Sequence, residues 1–264
     1  MKERIISSAI LIPLVVGAAL AGGLYYVFVI GIATLLAGLE FAQLARRKEQ
    51  HINLPLLWAI ILLWIADTTW GQGRWLQSGL VLLTLTASAA QLFRHTPHPA
   101  ADWALTLAGG LYLGIGSAYL LRLRALPDGL WWTLITLPGI WIADSGAFFI
   151  GKRWGRHKLA PSISPGKTWE GYIGSVLSGG LGCALLAGIW SQVGGSVLPL
   201  ERAALLGVLL GALTPLGDLF VSLLKREVGV KDTSNLIPGH GGVLDRIDSL
   251  IWAGVIACTW LTGF

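Results

Sequence analysis

Long apolar runs alternate with short polar connectors along nearly the whole chain. They fall at residues 5–21, 24–44, 54–70, 76–93, 103–121, 131–150, 172–193, 201–222 and 243–262. Each is close to the roughly 20 residues that a helix needs to cross the hydrocarbon core of a bilayer. The pattern therefore predicts about nine transmembrane helices, an all-α polytopic integral membrane protein. Ala21-Gly22-Gly23 links the first two runs tightly. Met1-Lys2-Glu3-Arg4 ahead of an apolar run has the look of a signal peptide, but a second apolar run follows at once. No small-residue cleavage site opens onto a polar domain, so the first run reads as a retained span. No connector is long enough to bury a core of its own, so residues 1–264 are expected to form one integral membrane domain.

Composition supports lipid as the solvent. The chain is 54% hydrophobic and 12% charged, against roughly 25% charged in soluble domains. Its 35 glycines and 13 tryptophans agree, since glycine lets membrane helices approach closely and tryptophan favours the interface. Cys183 and Cys258 lie in apolar runs and are expected to fill core or face lipid without a disulfide. The net charge of +5 does not point to nucleic acid, because the basic residues gather between apolar runs. There they serve topology and anionic ligands.

Lysine and arginine also set the orientation. One set of ends carries Lys2, Arg4, Arg46, Arg47, Lys48, Arg94, then Lys152, Arg153, Arg156, Lys158 and Lys167, then Lys225, Arg226 and Lys231. The other carries Arg74, Arg122, Arg124 and Arg202. The richer set is expected to be cytoplasmic, with the N-terminus inside and Phe264 outside. Arg122 and Arg124 dissent, and a short reach to lipid phosphate accounts for them. The two long polar connectors, 151–170 and 225–242, then both face the cytoplasm.

The second connector and its flanks carry the densest chemistry. Asp218, Ser222 and Lys225 recur at helical spacing, so one helix face offers a carboxylate, a hydroxyl and an ammonium. Asp245 and Asp248 share a face at the start of the last run, where a helix N-terminus favours acids. Carboxylates converging near phosphates are how Mg²⁺ is held. Pro238-Gly239-His240-Gly241-Gly242 reads as a flexible turn with free N–H groups suited to phosphate oxygens. Asp218 follows Thr214-Pro215-Leu216-Gly217, where proline and glycine loosen a turn, and broken membrane helices line buried or watery sites. The competing structural reading pairs Asp218 with Lys225.

The first connector carries five cations in residues 151–170. Part of that charge is topological. Ser164-Pro165-Gly166-Lys167-Thr168 is a further compact loop whose hydroxyls, glycine and lysine suit a phosphate contact. It lacks the glycine spacing of a Walker A loop. Asp144 lies near the cytoplasmic end of its run and can face the same cavity. Two further acids have bland readings: Glu40 pairs with Arg46 and Arg47, and Asp67, beside Thr68 and Thr69, is hydrated at the interface.

From Ser222 through Asp248 the order and spacing of Ser, Lys-Arg, Lys-Asp, Pro-x-His-Gly-Gly and Asp-Arg-x-Asp resemble the signature of the phosphatidate cytidylyltransferases (CDP-diacylglycerol synthases). Ser164-Pro165-x-Lys167-Thr168-x-Glu170-Gly171 and Gly217-Asp218 resemble the same family. The resemblance covers most of the C-terminal half; the N-terminal half agrees only in hydropathy. It implies transfer of CMP from CTP to phosphatidate, giving CDP-diacylglycerol and pyrophosphate, with Mg²⁺ as one ion or two. Asp218 and Asp245 become the metal-holding acids, with Asp248 as a third or a supporting acid; Asp144, by its place at the end of its run, is a further metal candidate apart from the resemblance. Lys225, Arg226, Lys231, Arg246, Ser164, Lys167 and Thr168 become phosphate contacts; residue type alone adds Ser222, His240, Gly241 and Gly242. A homodimer in the cell (inner) membrane, with its active site open to cytoplasm and lipid, is also implied. Residues 1–130 then supply scaffold and dimer contacts, and 131–264 the catalytic part.

The chemistry agrees. A lipid phosphate is already a nucleophile, so the protein must align it and absorb charge on the leaving group. No Ser-His-Asp order or cysteine nucleophile is apparent. A CTP-dependent polyprenol or dolichol kinase, or a cytidylyltransferase of another lipid phosphate, shares the same groups and stays open. A transporter fits less well, because the polar residues gather on one side and no inverted repeat is visible.

Overall fold

The computed structural model describes residues 2–194, 198–239 and 241–263. Among them are nine α-helices: α1 (Lys2–Ala21), α2 (Gly23–Arg46), α3 (Leu54–Ala66), α4 (Leu76–Leu92), α5 (Pro99–Ala125), α6 (Gly129–Trp154), α7 (Trp169–Val193), α8 (Leu200–Glu227) and α9 (Leu244–Thr262). A π-helical turn, Asp67–Gly71, extends α3. Each predicted apolar run overlaps one helix. Six helical segments are long and apolar enough to cross a membrane: α2, α3 with its π turn, α5, α6, α7 and α8. α4 and Ala9–Ala21 are apolar but shorter. The first turns of α9 carry Asp245, Arg246 and Asp248.

The fold is predominantly helical rather than wholly so. The first connector, expected to be a loop, holds an antiparallel hairpin of β1 (Lys158–Ala160) and β2 (Ser164–Thr168), with Lys158 opposite Thr168. Proline and serine at its tip permit the turn.

Two compact units divide the chain. One comprises Met1–Arg122 and Leu224–Ile247, the other Leu123–Leu223 and Asp248–Phe264. In the first unit, Gly38 of α2 lies against Leu57 and Ile61 of α3, while Gly110 and Gly114 of α5 lie against Ile60 and Trp64. These small residues let three helices pack closely. Asn53 caps α3 by accepting from the Leu56 N–H, with Pro55 in the first turn. Asp67 is not hydrated at an interface: it is buried, and its Oδ1 accepts from the Trp75 N–H at 2.8 Å. The acid thereby closes the π turn onto the loop that follows.

In the second unit the helices meet backbone to backbone. A Cβ on Gly207 of α8 would overlap the Gly179 carbonyl of α7, and one on Gly211 would overlap the Ser175 carbonyl. Gly146 of α6 instead makes room for the Ser178 side chain of α7. Cys183 and Cys258 are buried and not joined in a disulfide, so both fill core.

Candidate active site

The two units each carry a polar cluster. In the second unit, α6, the hairpin, α7 and α8 enclose a cavity of about 730 Å³. Its wall includes Asp144, Lys152, Lys158, Ser164, Lys167 and Asp218. α8 runs unbroken through Pro215, against the expectation of a broken helix. The polar contacts instead gather at that turn: Lys167 Nζ donates to the Pro215 carbonyl at 3.1 Å, and the Tyr172 hydroxyl to that of Ala212 at 3.1 Å.

Asp218 does not pair with Lys225. Its Oδ2 lies 2.8 Å from Lys167 Nζ, and its Oδ1 accepts from the Ser222 hydroxyl at 3.2 Å. The Asp218 side chain stays 40% exposed, so the acid is anchored yet open to the cavity. Thr168 lines the cavity, but its hydroxyl caps α7 by accepting from the Gly171 N–H at 3.1 Å. The hairpin is fastened at its base, where the Trp169 N–H donates to the His157 carbonyl and His157 Nδ1 meets Glu170 Oε1 at 2.6 Å. Asp248 is buried on α9, where Gly217 lets α8 approach its backbone.

In the first unit, Lys225 and Asp245 form a buried pair, Nζ to Oδ1 at 2.5 Å. Asp245 Oδ2 accepts from the Thr233 N–H at 2.9 Å, the Thr233 hydroxyl at 2.9 Å and the Gly242 N–H at 3.1 Å. The sequence reading expected free N–H groups in this turn; that of Gly242 instead donates to Asp245, and just beyond the turn those of Val243 and Leu244 donate to Glu40. Gly241 needs its glycine for a φ of +81°. Arg226, Lys231, Asp232 and Arg246 are exposed around the cluster. His240 lies outside the described residues.

Among the described residues, no three His, Cys, Asp or Glu side chains converge as a metal cluster. Mg²⁺ commonly takes only one or two carboxylates and completes its shell with water and substrate phosphates. Asp218, half-open on a cavity wall that Asp144 also lines, suits that arrangement. The Asp245 oxygens are engaged with Lys225, Thr233 and Gly242.

Residues 2–264 match the family described as the cytidylyltransferase family. The phosphatidate cytidylyltransferase of Haemophilus influenzae is 36% identical over 95% of this chain and 94% of its own. That of Pseudomonas aeruginosa is 36% identical over 100% and 98%. That of Bacillus subtilis is 32% identical over 96% and 94%. The chain belongs to the phosphatidate cytidylyltransferase family.

In this family member, sequence reasoning missed three polar groups. Glu40 does not serve Arg46 and Arg47: its carboxylate accepts from the connector, including the Thr233 hydroxyl at 2.9 Å and the Ser234 hydroxyl at 2.6 Å. Thr233 links Glu40 to Asp245. Ser175 lines the cavity with its Oγ buried and without a hydrogen-bond partner. An acid inside an apolar run was the one signal available for Glu40. Nothing local marks Thr233 or Ser175.

Proposed function

We propose that this chain transfers CMP from CTP to phosphatidate, forming CDP-diacylglycerol and pyrophosphate at the cytoplasmic face of the cell (inner) membrane. The near full-length similarity to phosphatidate cytidylyltransferases carries the reading. The cavity holding Lys167 and Asp218 fits it chemically. A phosphatidate oxygen attacks the α-phosphorus of CTP. The bond from that phosphorus to the bridging oxygen of the β-phosphate breaks, and pyrophosphate leaves with the electron pair. No protein nucleophile is needed.

Lys167, with Lys152 and Lys158 on the same wall, offsets phosphate charge, and Ser164 and Ser222 supply hydroxyls. Asp218 would hold Mg²⁺, with Asp144 a second acid on that wall. Bound Mg²⁺ neutralises charge on the polyphosphate and its leaving group. At the start of α9, Asp245 is the acid assigned to the reaction, with Lys225 as its counter-charge and Arg226, Lys231 and Arg246 as phosphate contacts. All nine helices cross the bilayer in this reading, with both long connectors inside, and the protein works as a homodimer. The distribution of lysine and arginine supports that orientation.

Purified protein given CTP, phosphatidate and Mg²⁺ should release pyrophosphate and yield a lipid heavier by one CMP. Folded protein that releases none would refute the assignment. Release of CDP with a singly phosphorylated lipid would point to a kinase instead.

A further inference from the structure

We propose that Glu40 of α2 is a positioning residue for the reaction, setting where the connector places Asp245. The inference rests on the reading that Asp245 acts in cytidylyl transfer. Glu40 is 2% exposed within an apolar helix, a costly place for a carboxylate without hydrogen bonds. Both its oxygens are fully used. Oε1 accepts from the Ser234 hydroxyl at 2.6 Å and the Val243 N–H at 2.9 Å. Oε2 accepts from the Thr233 hydroxyl at 2.9 Å and the Leu244 N–H at 2.8 Å. That fills the roughly four acceptor sites of a carboxylate.

All four donors belong to the connector or to the start of α9. Glu40 therefore holds both ends of the segment 233–244. The Leu244 N–H opens α9 and has no partner within its own helix. A helix distant in sequence supplies the missing acceptor. It thereby sets where α9 starts, and Asp245 is the next residue.

Thr233 strengthens the link. Its hydroxyl lies 2.9 Å from Glu40 Oε2 and 2.9 Å from Asp245 Oδ2, so one proton serves two acids. Gly242 completes the mould: a Cβ there would overlap the Glu40 carboxylate and the Thr233 hydroxyl. Its glycine is required by space. Glutamine at residue 40 would turn an NH₂ toward two donors while keeping nearly the same volume.

The full chain in detergent provides the test, with hydrogen exchange of the 233–244 amides measured beside steady-state kinetics. Glu40→Gln should speed that exchange and lower kcat about 10–100-fold, the usual effect of removing a group that orients a reacting one. KM for CTP should stay within about twofold, since the loss falls in the transition state. Thr233→Val should lower kcat in the same manner, and Thr233→Ser, which restores the hydroxyl, should recover it. Unchanged exchange and kcat in Glu40→Gln, or equal kcat in Thr233→Val and Thr233→Ser, would overturn the proposal. If Glu40→Gln fails to fold, the Thr233 pair decides. A wild-type protein that releases no pyrophosphate overturns the underlying reading, and the exchange data then decide separately whether Glu40 holds the connector.

Discussion

Lys167 Nζ lies 2.8 Å from Asp218 Oδ2, which joins β2 to α8 across the wall of one cavity. The pair is only partly buried, with side chains 24% and 40% exposed. Exposed pairs contribute about 0–1 kcal/mol to stability. Asp218→Asn and Lys167→Met should therefore leave the thermal unfolding midpoint nearly unchanged. Pyrophosphate release should fall on the order of 100-fold or more, as when a charge-stabilising group is lost. Unfolding monitored by tryptophan fluorescence beside turnover separates the two effects.

Lys225 and Asp245 should behave differently. Both side chains are at least nine-tenths buried. Removing one partner strands the other charge, at a cost of about 3–5 kcal/mol. Asp245→Asn and Lys225→Met should each unfold at clearly lower temperature as well as losing turnover. The double variant Lys225→Met, Asp245→Leu should regain only part of the stability, because the Thr233 and Gly242 N–H groups lose their acceptor. It should regain no activity. A full double-mutant cycle in detergent checks this.

Mg²⁺ should be required and replaceable only by similar ions. EDTA should stop pyrophosphate release, and added Mg²⁺ should restore it. Ca²⁺ should restore little, since it takes about 6–8 oxygens at longer distances than the six tight ligands of Mg²⁺. Raising Mg²⁺ should not rescue Asp218→Asn to the wild-type rate. A metal titration of both proteins measures this.

The α7–α8 crossing has no room for a side chain. Gly207→Val should cost about 1–3 kcal/mol or more through overpacking. Gly166→Ala in the middle of β2 should be tolerated structurally, because a Cβ there meets nothing within 4 Å. Comparing the two midpoints tests the contact.

Much of this was legible in the chain. The nine apolar runs foretold the helices, because hydropathy is a property of each segment. The two connectors were recognisable because polar residues between spans need a reason. The partners of the acids were not legible. Helical spacing offered Lys225 to Asp218, yet Asp218 took Lys167, leaving Lys225 for Asp245. Nearness to Arg46 and Arg47 offered Glu40 a local pair, yet its partner Thr233 stands 193 residues away. The hairpin was hidden because its strands are too short to show an alternating pattern.

The sequence by itself determined that this is a helical membrane protein and which family it joins. Those follow from local transfer free energies and from residue types in fixed order. Only the tertiary structure decided which lysine neutralises which acid and what Glu40 holds. Such pairings depend on how each helix is rotated and how closely it packs. Within each unit that is set by contacts such as Gly207 on Gly179 and Gly242 on Glu40, between residues far apart in the chain.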